Sequence, residues 1–150
     1  HPDWKLHLYG AKEGDYYERI QNLVEEKKLK NSILFKGITN DVATELNIAK
    51  LLLMTSEQEC FPMVILEAHS SGVPVVSFDA PTGPRNIIHH NEDGILVDNN
   101  NEDEFVEILE NLALNQEKIQ VLSDGALQNS KNYELQKVMN LWKNLIFDKS

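Results

Sequence analysis

Five short apolar runs, with helical patterns between or after them, restrict this sequence to very few folds. The runs are Leu6 to Tyr9, Ile33 to Phe35, Leu51 to Met54, Val75 to Phe78 and Ile95 to Val97. Each is continuous rather than alternating, as expected of strands buried on both faces of a parallel sheet. Residues 15–29 place Tyr16, Ile20, Leu23 and Val24 on one helical face, with Glu and Lys opposite. Residues 102–114 repeat the spacing with Phe105, Ile108, Leu109 and Leu112. Two more helices follow, one carrying Ile119, Leu122 and Ala126, the other Leu135, Val138, Met139, Trp142, Leu145 and Ile146. The Met and aromatic residues of these helices read as core. Strand, helix, strand, helix is the mark of an α/β fold with right-handed crossovers. Turn signals stand at Gly10, Gly37, Thr82-Gly83-Pro84 and Asp93-Gly94. In such a sheet, ligands bind beyond the C-terminal strand ends. The loops after Tyr9, Phe35, Met54 and Phe78 are therefore where chemistry is expected.

A length of 150 residues suits one domain with a real core. The net charge of −10, from 14 basic and 24 acidic residues, argues against a nucleic-acid polymer as partner, since counterion release needs clustered Lys and Arg. Cys60 is the single cysteine, which excludes an internal disulfide and suits a reducing cytoplasm. No run approaches the roughly 18 apolar residues of a membrane span. His1-Pro2-Asp3-Trp4-Lys5 has no signal-peptide layout and reads as a loop entering a strand, so the chain is expected to begin mid-domain. No His/Cys/Asp cluster has metal-ligand spacing. His7, His69, His89 and His90 read as surface or core residues.

One segment carries a chemical argument. After the run ending at Met54 comes Thr55-Ser56-Glu57-Gln58-Glu59-Cys60-Phe61-Pro62-Met63-Val64-Ile65-Leu66-Glu67-Ala68. Pro62 suits the first turn of a helix, and Phe61 has no side-chain acceptor with which to cap it. The amides of Met63, Val64 and Ile65 are then expected free at a positive helix terminus, where a phosphate or sugar hydroxyl can satisfy them. Water would serve equally on this feature alone. Glu67 is the only acid between Phe61 and Phe78, in a helix apolar enough to be buried. A carboxylate there needs hydrogen-bond donors, which vicinal ribose hydroxyls would supply. The plainer alternative sets Glu67 at the helix edge, bonded to backbone or water. Glu59, in the loop ahead of the helix, stands about one sugar unit away.

Glu59-Cys60-Phe61-Pro62-Met63-Val64-Ile65-Leu66-Glu67 resembles the E-x7-E motif of the retaining group 1 glycosyltransferases, which carry two Rossmann-like domains in the GT-B arrangement. The likeness covers nearly the whole chain. Trp4 to Gly10 is similar to that family's strand and G-x-G turn, and Ile33 to Gly37 to its next strand and turn. Ser71-Gly72-Val73-Pro74-Val75-Val76-Ser77, Pro81-Thr82-Gly83-Pro84-Arg85-Asn86-Ile87-Ile88 and Asp93-Gly94-Ile95-Leu96-Val97 resemble its "cG-x-PVV-s", "PTGPREII" and "nGlLV" segments.

The resemblance implies a Rossmann-like parallel sheet of about five strands flanked by helices, one half of a GT-B fold. Residues 1–150 would form the C-terminal nucleotide-sugar-binding domain, lacking its first strand and the N-terminal acceptor domain. Glu59 would be the catalytic-site acid holding the hydroxyls of the transferred sugar, and Glu67 would hold the ribose. The amides of Phe61, Met63 and Val64 would face sugar and diphosphate, Gly37 and Ile38 the base, and Thr82 and Gly83 would shape the loop beside the phosphates. The implied reaction moves a hexose from a nucleotide diphosphate sugar, usually a UDP-sugar, to a hydroxyl of a glycan, polysaccharide or lipid-linked acceptor, with anomeric configuration kept. The donor is a substrate; no cofactor or metal is implied. The fragment alone would transfer nothing, and the whole protein would be cytoplasmic, peripheral at the inner membrane face.

Four departures qualify this. Cys60 replaces the usual Gly after the first Glu, Lys12 the second Gly of the G-x-G turn, and Asn86 a common Glu. The family's Arg and Lys for the diphosphate have no counterpart here; neither Arg85 nor Lys12 is assigned to them. A non-catalytic nucleotide-sugar-binding scaffold is therefore the first alternative. A receiver-like domain, and a GT-B epimerase or phosphorylase, follow behind.

Overall fold

The computed structural model describes residue 1 and residues 3–147. The chain divides into two compact units, His1–Val42 and Ala43–Ser150. In the first, strand β1 (Leu6–Tyr9), helix α1 (Asp15–Glu26) and strand β2 (Ile33–Gly37) form one β-α-β crossover. The strands pair in parallel, Leu6 opposite Ile33 and Leu8 opposite Phe35, with a register shift before Tyr9 meets Gly37. Asp15 and Glu18 place negative charge in the first turn of α1, where the helix dipole favours it.

The inward face of α1 differs from the one expected. Tyr17, Ile20 and Val24 turn inward, while Tyr16 and Leu23 are exposed. The cause is Tyr17, whose ring meets Phe35 of β2 edge-on at 5.2 Å between centroids. The continuous apolar pattern also overstated burial in this unit, since Leu6, Tyr9 and Leu34 all reach solvent.

In the second unit, strands β3 (Leu52–Met54), β4 (Val75–Phe78) and β5 (Gly94–Val97) form a parallel sheet in the order β3-β4-β5. β4 is central and all four of its residues are buried. The five parallel strands expected are thus present, hydrogen-bonded as a pair and a trio. A short helix α2 (Val42–Asn47) precedes β3. Helices α3 (Met63–Ser70), α4 (Glu102–Leu114), α5 (Gln116–Ser130) and α6 (Leu135–Phe147) follow. Asn101 and Asn115 cap α4 and α5, their side chains accepting from the amides of Glu104 and Lys118 at 3.2 and 2.9 Å.

The core gathers Leu46 of α2, Met54 of β3, Ile65 and Ala68 of α3, Val75 of β4, and Val73, Ile87 and Ile88. α3 lies between this core and α5, and the Ser123 hydroxyl of α5 donates to the Gly72 carbonyl just past α3 at 2.6 Å. α6 buries none of its residues: Met139 and Trp142, read as core from periodicity, are exposed along with Leu135, Leu145 and Phe147. An amphipathic pattern shows which side of a helix is apolar, not that anything covers it.

Candidate functional site

The loops following β3 and β4, adjacent parallel strands, leave the sheet at the same end, where ligands collect in α/β sheets. The β3 loop runs through residues 55–62 into α3. Pro62 is the N-cap rather than the first helical residue and makes no side-chain cap. Its carbonyl accepts the Ile65 amide at 3.0 Å, so Ile65 is not free as expected. The amides of Met63 and Val64 make no hydrogen bond among the described residues. α3 buries Ile65, Ala68 and His69, the i, i+3, i+4 stripe, and this turns Glu67 outward into solvent. Glu67 therefore does not sit in the buried setting its apolar neighbours suggested. Its carboxylate and that of half-buried Glu59 have no protein partner among the described residues.

The β4 loop closes on Glu59. The Thr82 hydroxyl lies 3.0 Å from the Glu59 carbonyl and 2.8 Å from that of Pro81. Thr82 has φ +68, a left-handed conformation that a β-branched residue rarely adopts. The Asn86 side-chain amide donates to the Thr82 carbonyl. At Gly83 a Cβ would stand 2.6 Å from the Glu59 Cβ and 3.2 Å from Pro62 Cδ, so only glycine lets the two loops touch. The expected residues Glu59, Thr82 and Gly83 are thus brought together, with Phe61 in the same loop as Glu59 and Met63 and Val64 opening α3 directly after it. Phe61 is exposed on one side and tilts against Tyr133 at 6.5 Å between centroids. Cys60 is exposed and has an ordinary negative φ, so the side chain in place of glycine introduces no backbone strain.

Sequence reasoning missed the residues that hold this loop. Arg85 donates to both oxygens of Asp79 from Nε and Nη2 at 2.8 and 2.5 Å, which raises its pKa through those hydrogen bonds first and the Asp79 charge second. That guanidinium is engaged within the protein. Tyr133 donates its hydroxyl to the Asn86 carbonyl at 3.3 Å, and burial, followed by the Asp93 charge, raises its pKa. Nothing in the local pattern signals either contact.

Gly37 and Ile38 belong to the 1–42 unit. Gly37 ends β2 at φ +85, and its carbonyl accepts the Gly10 amide at 3.0 Å. Ile38 is strongly exposed.

Behind the site, His69 of α3 is fully buried and neither ring nitrogen is hydrogen-bonded. Burial lowers its pKa, opposed by the Asp93 charge and assisted by His89. The Asp93 backbone is near enough to favour the proton but lies outside hydrogen-bond geometry. The folded state thus keeps the imidazole neutral at a pH where the unfolded chain, near its ordinary 6.5, takes up a proton. Stability present above pH 6.5 should be lost as pH falls, by on the order of 1 kcal/mol per unit. Urea midpoints at pH 7.5 and 5.5 would show this, and His69→Leu should flatten the difference; an equally steep fall in that variant would assign it elsewhere.

The family model for glycosyl transferases group 1 matches residues 1–135. The chain belongs to this family. Among similar proteins, an uncharacterized glycosyltransferase of Haemophilus influenzae is 31% identical over 97% of the chain and 41% of its own length. The poly(ribitol-phosphate) alpha-N-acetylglucosaminyltransferase of Staphylococcus aureus is 30% identical over 94% of the chain and 28% of its own length. Among solved structures, a mutant of S. aureus TarM in complex with fondaparinux, alpha-GlcNAc-glycerol and UDP superimposes with a TM-score of 0.80 at 30% identity, over 94% of the chain and 28% of that protein. The α/β architecture, parallel strands flanked by helices, is that of a GT-B half. The chain spans less than half the length of these relatives. Among the described residues, no helix is long and apolar enough to cross a membrane, and no group of three or more His, Cys, Asp or Glu is placed to hold a metal.

Proposed function

We propose that residues 1–150 are the donor-binding domain of a retaining hexosyltransferase that uses a UDP-sugar. The observation that carries this reading is a pair of unpartnered carboxylates, Glu59 and Glu67, flanking a helix start whose Met63 and Val64 amides are free. Glu67 accepts hydrogen bonds from the ribose hydroxyls, the two amides and the helix dipole hold the diphosphate, and Glu59 accepts from the hexose. The acceptor hydroxyl bonds to the anomeric carbon on the face the diphosphate leaves, the diphosphate departs with the bonding electrons, and its departing oxygen takes up the hydroxyl proton. Stabilising that leaving charge is the main task of the site. The TarM complex with UDP supports the nucleotide, and the alpha linkage named for the S. aureus relative supports retention. The acceptor, a glycan or lipid-linked chain, is bound by parts beyond this chain, so the fragment alone transfers nothing. The whole protein works in the cytoplasm, at the inner face of the membrane.

An NMR titration of this chain with UDP, against GDP and ADP controls, tests the reading. UDP should move the Met63 and Val64 amides selectively, and Glu67→Ala should weaken binding about tenfold to a hundredfold, the loss of charge-assisted hydrogen bonds. Equal responses to all three nucleotides, or none from those amides, would refute the assignment.

A further inference from the structure

Asn86 is not among the residues that the donor reading uses, yet it joins both loops of the site. Its side-chain amide donates to the Thr82 carbonyl, and its own carbonyl accepts from Tyr133. Thr82, held by that bond in a left-handed conformation, directs its hydroxyl at the Glu59 carbonyl. Tyr133 meets Phe61, two residues beyond Glu59. The loop that carries Glu59 is therefore gripped at two points, and both grips pass through Asn86.

Resting on the donor reading, we propose that Asn86 is a positioning residue that sets where Glu59 presents its carboxylate to the transferred sugar. The required group is a side-chain donor. In this chain an ionised Asp at 86, of the same reach as Asn, would set acceptor against acceptor at the Thr82 carbonyl. Thr82 would then relax from φ +68, its hydroxyl would leave Glu59, and the Glu59 carbonyl would lose its anchor. The ribose and diphosphate contacts assigned to Glu67, Met63 and Val64 stand on α3 and do not depend on this chain of bonds.

The test uses the full-length protein with whichever of UDP-glucose, UDP-galactose and UDP-N-acetylglucosamine it consumes, scored by UDP release and by the Kd for UDP. Asn86→Asp should lower kcat about tenfold to hundredfold, the scale of a small misplacement at a reacting centre, with the UDP Kd within about twofold. Thr82→Asn, which tolerates the left-handed backbone but lacks the hydroxyl, should repeat that pattern and serves as the test should Asn86→Asp fail to fold. In a Glu59→Gln background neither change should lower kcat much further, because coupled residues act as one. A kcat that survives Thr82→Asn and Asn86→Asp while Glu59→Gln lowers turnover steeply overturns the positioning role alone. A parallel loss of UDP affinity and kcat overturns it too, as a merely structural effect. Full activity in Glu59→Gln, or consumption of no UDP-sugar by the native protein, overturns the donor reading and this inference with it.

Discussion

Gly125→Val should prevent residues 43–147 from folding at 37 °C, and Gly125→Ala should destabilise them by several kcal/mol, at the exceptional end for a point mutation. Gly125 lies within α5, where helix propensity alone favours Ala by about 1 kcal/mol. Packing reverses the sign. A Cβ at this position would stand 2.0 Å from the Glu92 carbonyl oxygen and 3.3 Å from the Asp93 Cα, both backbone atoms with little freedom to retreat. One turn later on the same face, Asn129 donates to the buried Asp93 carboxylate at 2.7 Å and to the Ile87 carbonyl at 2.8 Å. Displacing the helix to admit a methyl group would break these bonds and leave buried polar groups unsatisfied. Urea denaturation of Gly125→Ala is the measurement. A midpoint equal to or above that of the native chain would show that α5 does not lie against the 92–93 turn.

On the proposed donor reading, Glu59→Gln in the full-length protein should reduce sugar transfer by about a hundredfold to a thousandfold, the equivalent of about two charge-assisted hydrogen bonds. The substitution keeps shape and removes charge. Glu59 is half-buried and lacks a protein partner among the described residues, so its acceptor capacity is available to a ligand. The Thr82 hydroxyl and the Gly83 contact both engage the Glu59 backbone and Cβ, which Gln retains, and the fold should stand. Initial rates of UDP release, with the circular dichroism spectrum unchanged, test this. A rate within twofold of the native protein would remove Glu59 from the proposed donor site.

The strands were legible because Val, Ile and Leu run continuously where a strand is buried, as in β4, and the bounds at Leu6–Tyr9 and Val75–Phe78 match the structure. The long helices were legible through their period. Helix α2 was not, since six residues offer only Val42 and Leu46 as large apolar markers, too few to define a face. Which strands share hydrogen bonds was equally hidden, because every parallel neighbour is a crossover away. At the candidate site, Glu59, Glu67, Thr82 and Gly83 could be singled out from the sequence because they stand in ordered local motifs. Asn86, Tyr133 and Asn129 could not, since their partners lie 42 or 47 residues distant, or across an amide whose role depends on one rare backbone angle. His69 shows the same limit: periodicity places it on the buried stripe of α3, yet nothing local shows that its ring nitrogens go unbonded.

The left-handed backbone at Thr82 has a consequence for recognition. Such a conformation raises the free energy of a β-branched residue by on the order of 1–3 kcal/mol, and the hydrogen bonds to Glu59 and Asn86 hold it from within the protein. The conformational entropy of ordering the loop is thus spent during folding. A small molecule arriving beside Glu59 meets preorganised walls, and its binding free energy is not reduced by having to build them.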